Sequence, residues 1–132
     1  MPKLSPERKE FLHGVFTTAL EGGIGYWSQA SKYRWSQGDE AQTEDLDGFI
    51  AVVHPLNDDE SGYVKKGLTV NRAVIQRGLR LIGDRAEKCT VRDDIYRNIV
   101  AADRSNGEQG DMDAECADCI VQAGLFGEII YG

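Results

Sequence analysis

At 132 residues, with 41% hydrophobic and 28% charged residues, the chain has the composition of one folded domain (1–132) and not of a disordered segment. Its net charge of −7 disfavours nucleic acid as a partner, because phosphate binding is driven by Lys and Arg. No apolar run approaches the roughly 20 residues of a membrane span, the first residues lack a signal-peptide core, and three cysteines suit a reducing compartment, so a cytoplasmic protein with no membrane contact is expected.

In chain order, Ser5-Pro6 predicts a helix start: a capping hydroxyl followed by proline at the first helical position. Phe11, Leu12, Val15, Phe16, Ala19 and Leu20 then mark one helical face, with Glu10, His13, Thr17 and Glu21 on another. Gly22 or Gly23 is the expected left-handed stop. From Ile24 to Trp35 the period changes to two, which places Trp27 and Trp35 on one side of a strand. Burial of the indoles is the default for such large rings, and stacking on a ligand is the alternative.

Residues 36–47 form an acidic loop with five carboxylates and no base. The β-branched run Gly48–His54, ended by Pro55, reads as a buried strand paired with the first in an antiparallel hairpin. A second acidic loop, Asn57–Glu60, leads to Tyr63–Lys66, a candidate short third strand. Thr69 or Asn71 caps a second helix, closed by Gly83, with Val70, Val74, Ile75, Leu79 and Ile82 inward and Arg72, Gln76, Arg77 and Arg80 outward. Thr90 and Asp93 have capping-box spacing for a third helix, with Val91, Ile95, Ile99 and Ala102 inward and Asn106-Gly107 as its stop. A last helix from Asp113 to Gly127 presents Cys116, Ala117, Ile120, Val121 and Leu125 to the core, and Glu128–Tyr131 reads as a closing strand. Ala19–Trp27 and Gly124–Gly132 share one plan (Leu, Gly, then Ile and Tyr), which suggests two helix-to-strand corners in one sheet. The fold expected is α+β, with four helices on a small antiparallel sheet in the order helix-strand-strand-helix-helix-helix-strand.

Charge is divided along the chain. Residues 65–104 hold ten of the fifteen basic residues and five acids, a net of +5, and the remainder carries −12. The Gly22–Gly25 turn contains GxG but follows a helix and opens a strand, the reverse of a dinucleotide fingerprint, so close backbone approach is the better reading. Cys116 and Cys119 have CxxC spacing at a helix start, yet Asp113, Glu115 and Asp118 oppose thiolate formation, so they are read as core residues. Zinc would require four ligands, which Cys89, Cys116, Cys119 and one of the two histidines would supply only by an accident of folding, so neither metal nor cofactor is expected. His13 with Glu10, Thr17 and Glu21, joined by His54, is a candidate acid–base cluster, although no nucleophile elbow, HExxH or P-loop occurs. The acids Asp111, Asp113, Glu115 and Asp118 crowd one helix start, as dipole compensation or as a docking face for a basic partner. Arg72, Arg77 and Arg80 lie near one helical turn apart and could clasp a phosphate or carboxylate.

Two segments, Thr18-Ala19-Leu20-Glu21-Gly22-Gly23-Ile24-Gly25-Tyr26-Trp27 and Ala117–Gly132, together about a fifth of the chain, resemble small uncharacterised accessory proteins of actinobacterial phages and related mobile elements. The resemblance implies an accessory gene product acting in an infected host cell, in counter-defence or host takeover, and carries over no catalytic residue. The leading expectation is capture, without turnover, of a small anionic, nucleotide-like ligand by Tyr26, Trp27, Arg72, Arg77 and Arg80, in a homo-oligomer. One alternative is an acidic inhibitor of a host protein, by direct contact or DNA mimicry. The other is a small hydrolase built on His13, His54 and carboxylates.

Overall fold

Ser5 opens helix α1 (Pro6–Thr18): its hydroxyl accepts the Arg8 N–H at 3.1 Å, and the buried face is Phe11, Leu12, Val15 and Phe16. The computed structural model describes residues 4–34, 49–57, 59 and 61–132, residues 32–34 through their backbone alone. Trp35, the acidic loop 36–47 and the acids Asp58 and Glu60 lie outside the described residues. The expected left-handed glycine stop is absent after α1. The helix widens into a π turn over Ala19–Gly23, the Ile24 N–H bonding the Ala19 carbonyl at 3.0 Å, and neither Gly22 nor Gly23 has positive φ. Contact is what requires glycine here, because a Cβ on Gly23 would stand 2.8 Å from the Ala114 carbonyl oxygen.

Ile24–Trp27 form a turn, and the first strand, β1 (Ser28–Arg34), begins later than the period of two suggested. It pairs antiparallel with β2 (Ile50–Pro55), as expected, with a bulge between Ala30 and Lys32. Burial alternates along β2: Ala51, Val53 and Pro55 face the core, whereas Ile50, Val52 and His54 are only partly covered. The third strand is not Tyr63–Lys66. Tyr63 makes one isolated bridge to Leu56, and β3 is Leu68–Asn71, which runs antiparallel to β2 directly into the next helix.

Asn71 caps α2 (Arg72–Gly83), its side chain accepting the Val74 N–H at 3.2 Å. Helix α3 (Asp93–Ser105) starts without a side-chain cap. Thr90 instead donates to the Glu87 carbonyl of a preceding 3-10 turn, so the capping box is not formed. Asn106, at φ 53, stops α3 as expected. Helix α4 (Ala114–Phe126) is capped by Asp113, which accepts the Cys116 N–H at 2.9 Å, and Gly127 ends it at φ 70.

The four helices and the three-stranded sheet, order β1-β2-β3, make an α+β fold among the described residues. No helix there is long and apolar enough to cross a membrane. Helix α4 is its centre: every residue from Cys116 to Gly124 is buried, on all sides of the helix. It packs most closely on α2 and also meets α1, α3, β3 and the π turn. Glycine permits that approach from both helices. A Cβ on Gly78 would lie 2.0 Å from the Ile120 carbonyl oxygen, and one on Gly124 2.0 Å from that of Val74.

Candidate functional site

Two polar side chains stand in the buried stretch of this helix, one turn apart: Asp118, 6% exposed, and Gln122, fully buried. Buried polar groups cost free energy unless paired, so their partners identify what α4 organises. Asp118 accepts three hydrogen bonds, from Trp27 Nε1 at 2.8 Å, Gln122 Nε2 at 2.9 Å and the Tyr26 hydroxyl at 2.6 Å. Gln122 Oε1 accepts the backbone N–H groups of Ile130 and Tyr131, each at 2.8 Å, and Nε2 also donates to the Tyr131 carbonyl at 3.2 Å. The Ile129 N–H donates to the Lys88 carbonyl at 2.8 Å. These bonds explain why the predicted closing strand does not form: the amides of 129–131 are satisfied by a glutamine side chain and a loop carbonyl instead of a sheet neighbour.

The aromatic rings complete the arrangement. Trp27 is fully buried and lies parallel to Tyr131, centroids 4.9 Å apart and planes 3° apart, with Phe126 edge-on at 5.6 Å. The segments Thr18–Trp27 and Ala117–Gly132 are thus brought face to face, side by side through ring stacking and not through a shared sheet.

Where they meet, a cleft of about 620 Å³ opens, walled by Gly22, Tyr26, Arg92, Ile95, Cys119 and Tyr131 with Asp118 at its base. Tyr26 is 55% exposed, yet its hydroxyl is fixed on the buried carboxylate. Burial, followed by the Asp118 hydrogen bond, pushes the phenol pKa far above its ordinary 10.0, so it stays a donor. Arg92 is clasped between Asp94 and the two oxygens of Glu115, all at about 3.1 Å, and hydrogen bonding to both acids raises its pKa further. Cys119 is pushed up to about 12 by burial and the neighbouring Asp118, and Cys116 to about 12 by burial and Asp113. Both shifts favour the thiol over the thiolate that a redox pair needs. Among the described residues no three His, Cys, Asp or Glu side chains are placed to hold a metal ion.

The residues singled out from sequence divide. Tyr26 lines the cleft, but Trp27 is sealed beneath it by Tyr131 and Asp118. Neither this cleft nor the adjoining cavity of about 480 Å³, which Tyr26 and Trp27 help to line, includes Arg72, Arg77 or Arg80. Arg77 instead bonds the Gly124 carbonyl at 2.8 Å, near the end of α4. Arg72 begins α2, partly buried, and Arg80 is exposed in its last turn. The guanidinium groups of α2 and the two rings thus do not share either of these cavities. His13 packs edge-on against Phe49 at 5.6 Å, and burial lowers its pKa. The acid cluster also disperses, with Asp113 capping, Glu115 pairing with Arg92 and Asp118 buried.

Asp118 and Gln122 are the organising residues, the first expected only as one of a group of helix-start acids and the second not singled out at all. Their signal was present: two polar residues four apart within an apolar helical run require buried partners. Comparison with protein-family models, curated proteins and solved structures finds no match.

Proposed function

We propose that the protein captures a small planar ligand in this cleft, without chemical turnover, as an accessory factor of the phage type its two end segments resemble. The observation that carries the reading is Tyr26: an aromatic face open to solvent whose hydroxyl is pinned to a buried carboxylate. A ring held in place before binding loses little freedom on complex formation, and stacking contributes about 1–3 kcal/mol per base. The cleft volume, about 620 Å³, falls within the range of small-molecule sites. Its polar groups combine the Arg92 N–H that Asp94 and Glu115 leave unengaged with acceptor lone pairs on Glu115 and on the Thr90 and Tyr26 hydroxyls, whose own protons go to Glu87 and Asp118, a mixture that suits the edge of a nucleobase-like heterocycle. The three arginines of α2 do not line it, and Arg92 is already neutralised by two acids. The ligand is accordingly nucleotide-like in its ring more than in its phosphates. High-pKa thiols support binding without covalent chemistry.

Isothermal titration against nucleobases, nucleosides, nucleotides and cyclic nucleotides tests this. At least one member should bind, and Tyr26→Ala should weaken it by roughly tenfold or more. No binding by any member at millimolar concentration would remove the proposal.

A groove of about 750 Å³ between α1 and the end of α3 favours the alternative, an acidic surface for a basic host protein. Its rim carries Glu7, Glu10 and Glu108 against a single Arg104, over Phe11 and Met112. A partner captured from host lysate should be released at moderate salt and lost with Glu7→Gln/Glu10→Gln.

A further inference from the structure

On the partly covered face of the sheet, away from the residues of the cleft, Ser31 Oγ and His54 Nε2 are 2.7 Å apart. The pairing register explains why they meet. Ala30 pairs with Val53 and Lys32 with Val52, so Ser31 is the extra, unpaired residue of a β-bulge, a device that re-aims a side chain. The other ring nitrogen, Nδ1, lies 3.0 Å from the Val64 carbonyl oxygen, and Val64 is itself anchored by its N–H on the Pro55 carbonyl at 2.8 Å. Gly67 lets this segment lie against the strand, since a Cβ there would stand 2.2 Å from Val52 Cγ1 and 3.3 Å from His54 Cε1.

A carbonyl oxygen only accepts, so Nδ1 carries the proton in the neutral imidazole and Nε2 presents its lone pair to the Ser31 hydroxyl. Nucleophile, base and orienting group are therefore in hydrogen-bonded sequence, and Ser31 is exposed. We propose that His54 activates Ser31 as a nucleophile and that the pair accepts acyl groups from small activated esters. Ser31 Oγ adds to the ester carbonyl carbon as its proton passes to His54 Nε2. The acyl C–O bond then breaks, the departing alcohol takes that proton, and an acyl-serine remains. Water, giving its proton to the same nitrogen, adds to the acyl carbon, and the proton returns to Ser31 Oγ as the acid leaves.

The full chain is incubated with a fluorophosphonate probe and, separately, with p-nitrophenyl acetate, and the modified residue is mapped by peptide mass. Modification should fall on Ser31 ahead of Ser61 and Ser105, vanish in Ser31→Ala, and slow by about a hundredfold in His54→Gln, as loss of a general base predicts. Unchanged melting of the variants shows that they are folded. Ser31→Cys supplies an independent readout, because the three native cysteines are buried. The introduced thiol should be alkylated by iodoacetamide faster than free cysteine, and that advantage should disappear when His54→Gln is added. Labelling spread evenly over exposed serines, or equal at Ser31 with and without His54, would overturn the proposal.

Discussion

Removing the Asp118 carboxylate should show how much of the fold hangs on one acceptor. In Asp118→Ala the Trp27 N–H, on a fully buried ring, loses its partner, and Gln122 Nε2 keeps the Tyr131 carbonyl at 3.2 Å and a long bond to the Tyr26 hydroxyl at 3.5 Å. An orphaned buried donor costs about 2 kcal/mol and a lost second bond about 1, whereas the half-exposed Tyr26 hydroxyl turns to water at little cost. The total is about 3 kcal/mol, which for a chain of this length lowers Tm by about 10 °C. Relief from burying a charge works in the opposite sense, and Asp118→Asn separates the two effects. Its carbonyl oxygen still accepts from Trp27 and Gln122, and its amide donates to a Tyr26 hydroxyl free to rotate, so the loss should stay below about 1.5 kcal/mol. Denaturant unfolding followed by tryptophan fluorescence measures both variants. An alanine variant within about 0.5 kcal/mol of the parent, or an asparagine variant as damaged as alanine, would refute the assigned role.

Other outcomes follow from the packing and the titrating groups. Gly78→Ala and Gly124→Ala each force a methyl against a carbonyl oxygen at 2.0 Å, and the loss of about 3 kcal/mol should exceed the helix-propensity gain of about 1. Gly14→Ala on α1, with nothing within 4 Å, should instead raise stability by up to about 1 kcal/mol in the same melts. Burial holds the His13 pKa below its ordinary 6.5, so at lower pH the unfolded chain binds a proton that the native state resists. Stability should therefore fall as pH is lowered through 6.5, and His13→Gln should flatten that part of the profile. Ellman's reagent should react slowly with native protein, whose three thiols are buried, and quickly with all three after unfolding.

What the sequence disclosed was local. Ser5, Asn71, Asp113, Asn106 and Gly127 act within three or four residues of where they sit, and each performs the terminal role its chemistry indicates. Thr90 misled because a 3-10 turn offered its hydroxyl a nearer acceptor at Glu87. The closing strand misled for the opposite reason: Ile129–Tyr131 have the composition of a strand, but their partners, Gln122 and Lys88, are specified elsewhere in the chain. The third strand was placed too early because Tyr63–Lys66 and Leu68–Asn71 are both short, and only pairing with β2 decides between them. The cleft was half legible. Tyr26 was marked by its ring beside paired glycines, but Asp118 looked like one of several helix-dipole acids until its burial was known.

The position of α4 in the chain has a consequence for how the protein is made. The element against which α1, α2, α3, β3 and the π turn all pack is translated after every one of them. Until it leaves the ribosome, the inner faces of those elements have no common partner, and Trp27 waits some ninety residues for the carboxylate that receives its proton donor. A nascent chain stopped before residue 114 should accordingly remain a substrate for chaperones and proteases, and native structure should arrive late and all at once.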